Sequence, residues 1–280
     1  PLWLSYEGVE ALVLDAQGTP TLMPVEMPSK FQAAEGPELL CTVIDADGDG
    51  DEELLVFGFQ MGLLEVTSPY KLSLAQSSLP ILPGAFVGDV AVGDLNADGR
   101  PDVVVGLGVY SLERIERRGY ADRVLMNLGE GRFEWHNIEP SVPGFTHGLT
   151  LVDMDADGRL DIVESINASQ LTRLARVLLN RTSPGSIKPV FITAPYAHDI
   201  GSNGMGAAVA DINGDGHMDV YNTTVGLDYL CIGDENAGCQ DQTVERGLHI
   251  EWGSESIRQQ WAPAFADINA DGLIDLVVRH

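Results

Sequence analysis

The sequence predicts an all-β fold, a β-propeller of four-stranded antiparallel blades, and three observations lead to this prediction. A short acidic pattern occurs five times, beginning at Asp45, Asp94, Asp153, Asp211 and Asp267. The successive first aspartates lie 49, 59, 58 and 56 residues apart. Short apolar runs with strand-like alternation flank each copy. A period of this size indicates a repeat architecture, either a solenoid or a propeller.

The two chain ends favour a propeller. We can count from Asp267 to the C-terminus and then continue from the N-terminus to Asp45. This interval is 58 residues and matches the spacing between the other patterns. A solenoid would have atypical capping repeats at its ends, whereas a propeller ring closed by both termini keeps the interval constant. The sequence therefore predicts five blades, with part of a seven-bladed propeller as the alternative.

We expect a single domain over residues 1–280, since β-folds of this length often form one domain. One blade would combine about 258–280 with 1–30, and this blade would close the ring. Residues 9–26 resemble the third and fourth strands of a blade, and the C-terminal segment supplies the first two. The other blades would cover about 31–85, 86–143, 144–200 and 201–257.

Each full repeat reads as four strands. In the second repeat the strand-like segments are 86–93, 102–106, 123–127 and 133–137. The third repeat has the same order, ending at 190–193. The fourth has segments at 207–211, 219–223 and 228–232, followed by a weaker fourth strand at 242–246. β-branched and aromatic residues between Gly- and Asp-rich turns are typical of such strands.

The acidic patterns are predicted to be calcium loops. Each places an oxygen side chain at positions 1, 3, 5 and 9, has Gly at position 6, and can add the backbone carbonyl of position 7. All-oxygen, multidentate loops suit Ca²⁺ better than Mg²⁺ or Zn²⁺, so one ion per loop is expected, up to five. The predicted metal residues at positions 1, 3, 5, 7 and 9 are Asp45, Asp47, Asp49, Asp51 and Glu53; Asp94, Asn96, Asp98, Arg100 and Asp102; Asp153, Asp155, Asp157, Arg159 and Asp161; Asp211, Asn213, Asp215, His217 and Asp219; and Asp267, Asn269, Asp271, Leu273 and Asp275.

Two other interpretations of the loops are weaker. An EF-hand shares the opening of the pattern but has helices on both sides and a bidentate Glu at position 12. Here position 12 is Val56, Val105, Glu164, Asn222 or Val278, and the flanks are strand-like. Ordinary acidic turns also favour Asp and Gly, but five copies with one ligand spacing favour cation binding.

The net charge of −26 limits the possible partners. Nucleic acid is a poor partner for such an acidic surface. No run of 18 apolar residues exists, so membrane insertion is not expected. The chain begins with Pro, which is typical of a processed product. Cys231 and Cys239 flank a predicted turn and could form a disulfide or remain free, whereas Cys41 lies in an apolar run and reads as a buried thiol.

With these residues in view, the chain resembles the FG-GAP/VCBS repeat family of calcium-loop propellers. The resemblance is strongest over residues 203–280, where Trp261 and Phe265 precede the fifth loop in a W-x-x-x-F-x-D pattern of the cartilage-acidic-protein and ASPIC/UnbV branch. It implies a propeller, one Ca²⁺ per loop and an extracytoplasmic location, whether secreted, periplasmic or at the cell surface. Glu53 replaces the usual Asp at position 9, the Gly-Ala-Pro tripeptide is absent, and family propellers often have seven blades.

The predicted function is a calcium-stabilised, non-enzymatic binding or scaffold module for a protein or glycan partner. Sequence motifs of hydrolases and nucleotide-binding loops are absent, so no catalytic residue is predicted. The oligomeric state is left open. The basic cluster Arg114, Arg117 and Arg118 is the first candidate for an anionic contact, and the alternative is a solvated insertion paired with Glu113 and Glu116.

Two alternative functions remain. The first is a propeller enzyme, or an accessory domain of one, acting on polysaccharide or lipid. It would need a polar cluster near the axis, for example His147 with Tyr110 or Tyr120. The second is a lectin, which would need aromatic pockets between blades.

Overall fold

The structure, a computed structural model, describes residues 2–5, 8–14, 19–26, 28, 40–57, 61–68, 71–79, 85–109, 120–140, 144–167, 175–194, 204–224, 228–248 and 261–279. All regular secondary structure in these ranges is β. The strands form six hydrogen-bonded sheets, each an antiparallel meander in chain order. The repeating acidic pattern therefore coincides with a repeating sheet.

The N-terminal sheet has three strands, β1 (Leu2–Ser5), β2 (Gly8–Leu14) and β3 (Pro20–Val25). Four sheets of four strands follow. Sheet 1 contains β4 (Leu40–Ile44), β5 (Glu53–Phe57), β6 (Met61–Ser68) and β7 (Lys71–Leu79). Sheet 2 contains β8 (Ala85–Gly93), β9 (Asp102–Val109), β10 (Arg123–Gly129) and β11 (Arg132–Asn137).

Sheet 3 contains β12 (Phe145–Val152), β13 (Asp161–Asn167), β14 (Ala175–Asn180) and β15 (Phe191–Thr193). Sheet 4 contains β16 (Gly204–Ala210), β17 (Asp219–Thr224), β18 (Tyr229–Gly233) and β19 (Cys239–Asp241). Sheet 5 has only β20 (Trp261–Ala266) and β21 (Asp275–Arg279). The first strands β4, β8, β12, β16 and β20 contact one another in succession, so the sheets are arranged around a common axis. This all-β, β-propeller-like arrangement confirms the predicted fold class.

The hydrophobic core lies between neighbouring sheets. Leu55 of sheet 1 and Val105 of sheet 2 belong to one buried cluster, while Val104 and Ile162 belong to the next, between sheets 2 and 3. Val163 and Val220 are buried between sheets 3 and 4. The second strands are covered on both faces, so they read as continuous apolar runs and not as alternating ones. This packing of sheet on sheet is what fixes the loops at the strand ends.

The predicted fourth strand of sheet 4, at 242–246, is wrong. The fourth strand is β19, and residues 243–247 form turns instead. The reason is the disulfide between Cys231 and Cys239, which brings β19 against β18 in a register that pairs Gly233 with Cys239. The disulfide that the sequence left open is thus present in the structure, and Cys41 is a free, half-buried thiol.

The predicted blade shared by the two chain ends is not found among the described residues. β2 and β3 form the expected hairpin, but β1 pairs with β2 along the edge that β21 would need. The next residue after β3, Glu26, forms a parallel bridge with Lys71 at the outer strand of sheet 1. β1 lies closer to β2 in sequence than β21 does, so β1 pairs with the free edge of the β2–β3 hairpin. Sheet 5 therefore has two strands among the described residues.

Candidate metal centres and an axial cavity

The five acidic loops connect the first and second strands of sheets 1 to 5 and share one hydrogen-bond pattern. The carboxylate at position 1 accepts a hydrogen bond from the amide of the position-6 glycine in every loop, at N–O distances of 2.8–3.2 Å. The carboxylate at position 5 likewise accepts from the amide of position 7. The loops therefore wrap inward around their own oxygen side chains, as a cation loop requires.

The backbone of each loop is left-handed at positions 4 and 6. At position 6 the glycine φ angles lie between 84° and 91°. At position 4, Ala97, Ala156 and Ala270 have φ values of 52–58°, which is uncommon for a residue with a Cβ. Such strained conformations persist only where the surroundings fix them and concentrate at functional sites. In the sequence, only the glycine at position 6 indicated this left-handed backbone.

The carboxylate at position 9 joins the loop to the third strand of its sheet. Asp102 accepts from the amide of Leu95 within the loop and from the amide of Asn127 in β10. Asp161 bonds in the same way to Met154 and Asn180, with N–O distances of 2.8 and 2.7 Å. Asp219 repeats the arrangement in sheet 4. The sequence predicted position 9 only as a ligand of the ion. Its bond to the third strand was not predicted, because it depends on how that strand pairs with the second strand.

The loop oxygens are arranged as a cation-binding cluster. Ligand oxygens of Asp45, Asp47 and Glu53 lie within 4.8 Å of one another, and so do those of Asp153, Asp155 and Asp161. Burial is the main cause that raises the pKa of Asp161 to about 6. The amides of Asn180 and Met154 act against it and lower the pKa, while the neighbouring carboxylates of Asp155 and Asp157 raise it further. A buried carboxylate with a raised pKa beside other carboxylates is a group whose ionised form a positive charge would stabilise.

Within the acidic loops, one buried side-chain oxygen has no hydrogen-bond partner in the described structure. It is Oδ1 of Asp155, at position 3 of the third loop. A buried, unsatisfied carboxylate oxygen costs free energy unless a donor or a metal ion is present. In the second, fourth and fifth loops position 3 is Asn, whose amide nitrogen donates to the position-5 carboxylate. The ligand atoms of all five loops fit a hard cation that prefers oxygen ligands.

Arginine side chains reach the carboxylates of two loops. Arg100 pairs with Asp98 and donates from Nε to the carbonyl of Asn127. Arg159 pairs with Asp157 and bonds the carbonyl of Asn180 in the same way, and Arg181 adds a second guanidinium to the third loop. Position 7 was predicted to act through its carbonyl alone, so this role of the side chain was missed. In the part of the chain that the structure describes, the first loop has no such pair.

Position 2 of each loop packs toward the next sheet. Ala46, Leu95 and Met154 are almost fully buried. The backbone beside them bonds across the interface, since Gly131 of sheet 2 donates to the carbonyl of Ala46, and Asn180 of sheet 3 donates to that of Leu95. The loops thus connect neighbouring sheets as well as neighbouring strands. In sheet 5 the equivalent Ile268 is 63% exposed.

A cavity of about 720 Å³ lies on the axis, at the opposite ends of the first strands from the acidic loops. Its lining comes from β8, β12, β16, β20 and β21 and includes His147, which was named from the sequence only as an example under the enzyme alternative. Tyr120 is not in the lining; it bridges Gly144 and packs against the core between sheets 1 and 2. Tyr110 and the cluster Arg114, Arg117 and Arg118 lie outside the described residues.

A buried charge network connects sheets 2 and 3. Glu164 of β13 forms an ion pair with Arg176 of β14. Asp122 accepts from the amide of Leu107 and from the hydroxyl of Thr146, both at 2.7 Å. Burial, followed by the negative charge of Glu164, raises the pKa of Asp122 well above its usual range. Asp122 therefore destabilises the fold when it is ionised.

Replacing Asp122 with Asn is expected to flatten the pH dependence of stability. A raised folded-state pKa contributes stability below the unfolded value of about 4, and that contribution is lost as pH rises through the folded pKa. The Asn Oδ1 can accept from the amide of Leu107, and its Nδ2 can donate to the hydroxyl of Thr146, which reverses that hydrogen bond. The variant should therefore match the parent within about 1 kcal/mol at pH 5 and be at least as stable at pH 8. Urea unfolding at both pH values measures this. A variant less stable than the parent at pH 8 would contradict it.

Comparison with known proteins supports the fold class. No family model and no curated protein matches the chain. Among solved structures, it is similar to a lectin of Agrocybe aegerita that specifically recognises non-reducing terminal N-acetylglucosamine, with a TM-score of 0.54 at 15% identity, over 97% of this chain and 68% of that chain. It also aligns with the rhamnogalacturonan lyase YesW, with a TM-score of 0.46 at 14% identity, over 98% of this chain and 64% of the lyase, which is less than two thirds of its length. At these identities the likeness shows the fold alone.

Proposed function

We propose that this chain is a calcium-stabilised β-propeller module of the FG-GAP/VCBS type, acting outside the cytoplasm as a binding or scaffold unit. The observation that carries the proposal is the recurrence of one strained, inward-wrapped loop geometry at five equivalent strand ends. Asp, Asn and Glu oxygens at positions 1, 3, 5 and 9, with the position-7 carbonyl, would hold the ion. The ion would neutralise carboxylates that otherwise repel one another.

The proposed location rests on two independent features. The disulfide between Cys231 and Cys239 is typical of oxidising compartments. Loops of this kind bind calcium with the weak to moderate affinity that suits millimolar calcium outside the cell. No membrane-crossing helix occurs among the described residues.

The proposal places these sheets in a propeller ring. Among the described residues sheet 5 has an open edge at β21, and Val277 of this strand and Leu273 of the preceding loop are exposed. Closure by the N-terminal hairpin would require displacement of β1 from β2, whereas a seven-bladed ring would leave β1 in place. The pairing of β1 with β2 therefore favours the seven-bladed alternative over the five-bladed one.

Binding is favoured over catalysis at the axial cavity, and a glycan is the first partner class to test. Each carboxylate oxygen of Asp89 already accepts a hydrogen bond from a backbone amide, so neither oxygen is free to act as a general base. The lectin of similar fold recognises a sugar, which makes glycans a reasonable choice for the first assays.

Calorimetric titration of the metal-free protein tests the calcium part of the proposal. Calcium is expected to bind at several sites per chain, up to five, because each loop offers an all-oxygen donor set. Magnesium at the same concentration is expected to compete poorly, since it keeps its waters. Heat of binding that is equal for magnesium and calcium, or absent for calcium, would contradict the proposal.

A further inference from the structure

The axial cavity is built by the same irregularity in four first strands. Each of these strands has a register shift at the equivalent place, between Val87 and Asp89, Thr146 and Gly148, Gly204 and Gly206, and Trp261 and Ala264. A β-bulge re-aims the side chain next to it, and bulges are over-represented beside binding sites. Three of the shifts place His147, Met205 and the Ala262–Pro263 pair in the lining of the cavity.

Close backbone packing makes this cavity preformed. A Cβ on Gly148 would lie 3.0 Å from Cα of Gly206, and a Cβ on Gly206 would lie 2.9 Å from Cδ of Pro263. Strands β12, β16 and β20 therefore approach so closely only because these positions are glycine. A rigid wall lowers the entropy lost on binding a ligand.

The indole of Trp261 and the guanidinium of Arg279 lie next to each other in the lining of the cavity. Trp261 and Arg279 are direct cross-strand partners in sheet 5, so their side chains project from the same face of the sheet, and both line the cavity. The indole of Trp261 is 38% exposed, and Arg279 is exposed and forms no ion pair with any described residue. In a chain with a net charge of −26, an unpaired guanidinium beside a cavity is an anion-binding group.

Two further polar groups complete the lining. His147 stacks on Phe145 at 4.1 Å and meets Trp261 at 89° with centroids 5.6 Å apart. Burial lowers the pKa of His147 to about 4, so the ring is neutral at physiological pH. Its nitrogens bond no described residue, and they remain available as one donor and one acceptor. Asp89 also lines the cavity, where its two oxygens accept hydrogen bonds from the amides of Val90 and Leu149, and Arg279 is the cationic side chain of the lining.

We propose that the axial cavity binds an acidic sugar residue of the uronate class. Arg279 would pair with the carboxylate, the indole of Trp261 would cover the apolar face of the pyranose ring, and the neutral His147 would bond a hydroxyl. A cavity of about 720 Å³ suits a ligand of one or a few sugar rings. An aromatic surface beside a neutral hydrogen-bonding ring favours a sugar over a simple carboxylate. This inference deepens the proposed function and depends on it.

The experiment is a calorimetric titration of the calcium-loaded chain with galacturonate and glucuronate oligosaccharides and with the same oligosaccharides after carboxyl reduction. The acidic forms are expected to bind at least about tenfold more tightly, because a charge-assisted hydrogen bond is lost on reduction. Arg279→Gln should remove this preference while leaving the neutral forms unchanged. Trp261→Ala should weaken both forms by a similar factor. Arg246→Gln, which changes an exposed arginine outside the cavity, is the matched control and should change neither.

Several outcomes would overturn the inference: no binding of either acidic oligosaccharide, equal affinity for acidic and reduced forms, or an acid preference that survives Arg279→Gln. Arg279 is exposed at a strand end, so its replacement should leave the calcium-dependent melting temperature unchanged. A chain that binds calcium but no uronate refutes the sugar assignment and leaves the proposed function standing. A chain that binds uronate but no calcium refutes the metal part of the proposed function instead.

Discussion

Removing calcium is expected to lower the melting temperature by about 10 to 20 °C. A ligand that binds only the folded state stabilises it by about 2.7 kcal/mol per site at a hundredfold excess over its dissociation constant. Two such sites give about 5 kcal/mol, and each kcal/mol shifts the melting temperature of a large domain by about 2–4 °C. The seventeen carboxylates at positions 1, 3, 5 and 9 of the loops would then repel one another without neutralisation. Scanning calorimetry with and without a chelator measures the shift.

Two controls separate ion binding from general screening of charge. Magnesium at the same ionic strength should restore little of the lost stability, although it screens the surface equally. Hydrogen exchange should show the greatest loss of protection at the first loop, which has the most carboxylates of the five and no guanidinium pair among the described residues. The third loop should lose less, because Arg159 and Arg181 pair with its carboxylates even without metal. An unchanged melting temperature in chelator would refute this prediction.

Replacing Asp161 with Ala is expected to be among the most damaging single substitutions. Both oxygens of Asp161 accept buried backbone amides, from Met154 and Asn180. Each unsatisfied buried donor costs about 1–3 kcal/mol, so the loss of both partners should cost about 2–6 kcal/mol even without metal. The substitution also uncouples the third loop from β14. Denaturant unfolding in chelator measures this contribution separately from that of the ion.

Asp275 provides the matched control for Asp161, since it holds position 9 in the fifth loop. It accepts from the amide of Ile268 at a solvent-exposed site, and sheet 5 contains no third strand among the described residues. Asp275→Ala should therefore cost about 1 kcal/mol or less in metal-free protein. If the two alanine variants lose the same stability under these conditions, the bridging role of position 9 is wrong.

The sequence was sufficient for the repeating sheets because the relevant signals are local. Apolar runs and Gly-rich turns around residues 86–93, 102–106 and 123–127 predicted β8, β9 and β10 closely. The loop spacing likewise predicted which oxygens gather, as Asp153, Asp155 and Asp161 do. These features depend on residues within one hairpin.

What the sequence missed depends on contacts between hairpins. The amide of Asn180 that bonds Asp161 is on another strand, and no spacing rule reveals it. The pairing of β1 with β2 was not predicted, because composition does not indicate which strand pairs with the edge of the hairpin. The displaced fourth strand of sheet 4 follows from the Cys231–Cys239 bond, which the sequence left open. The position-2 residues were missed because an apolar residue within an acidic loop has no distinctive pattern.

Anomalous scattering from crystals grown in calcium tests the central claim most directly. The account predicts a calcium peak at each of the five loops, surrounded by the oxygens of positions 1, 3, 5 and 9 and the carbonyl of position 7. The first and third loops, which have carboxylates at all four of positions 1, 3, 5 and 9, should give the strongest occupancy. Loops without anomalous density in calcium-saturated crystals would contradict the account.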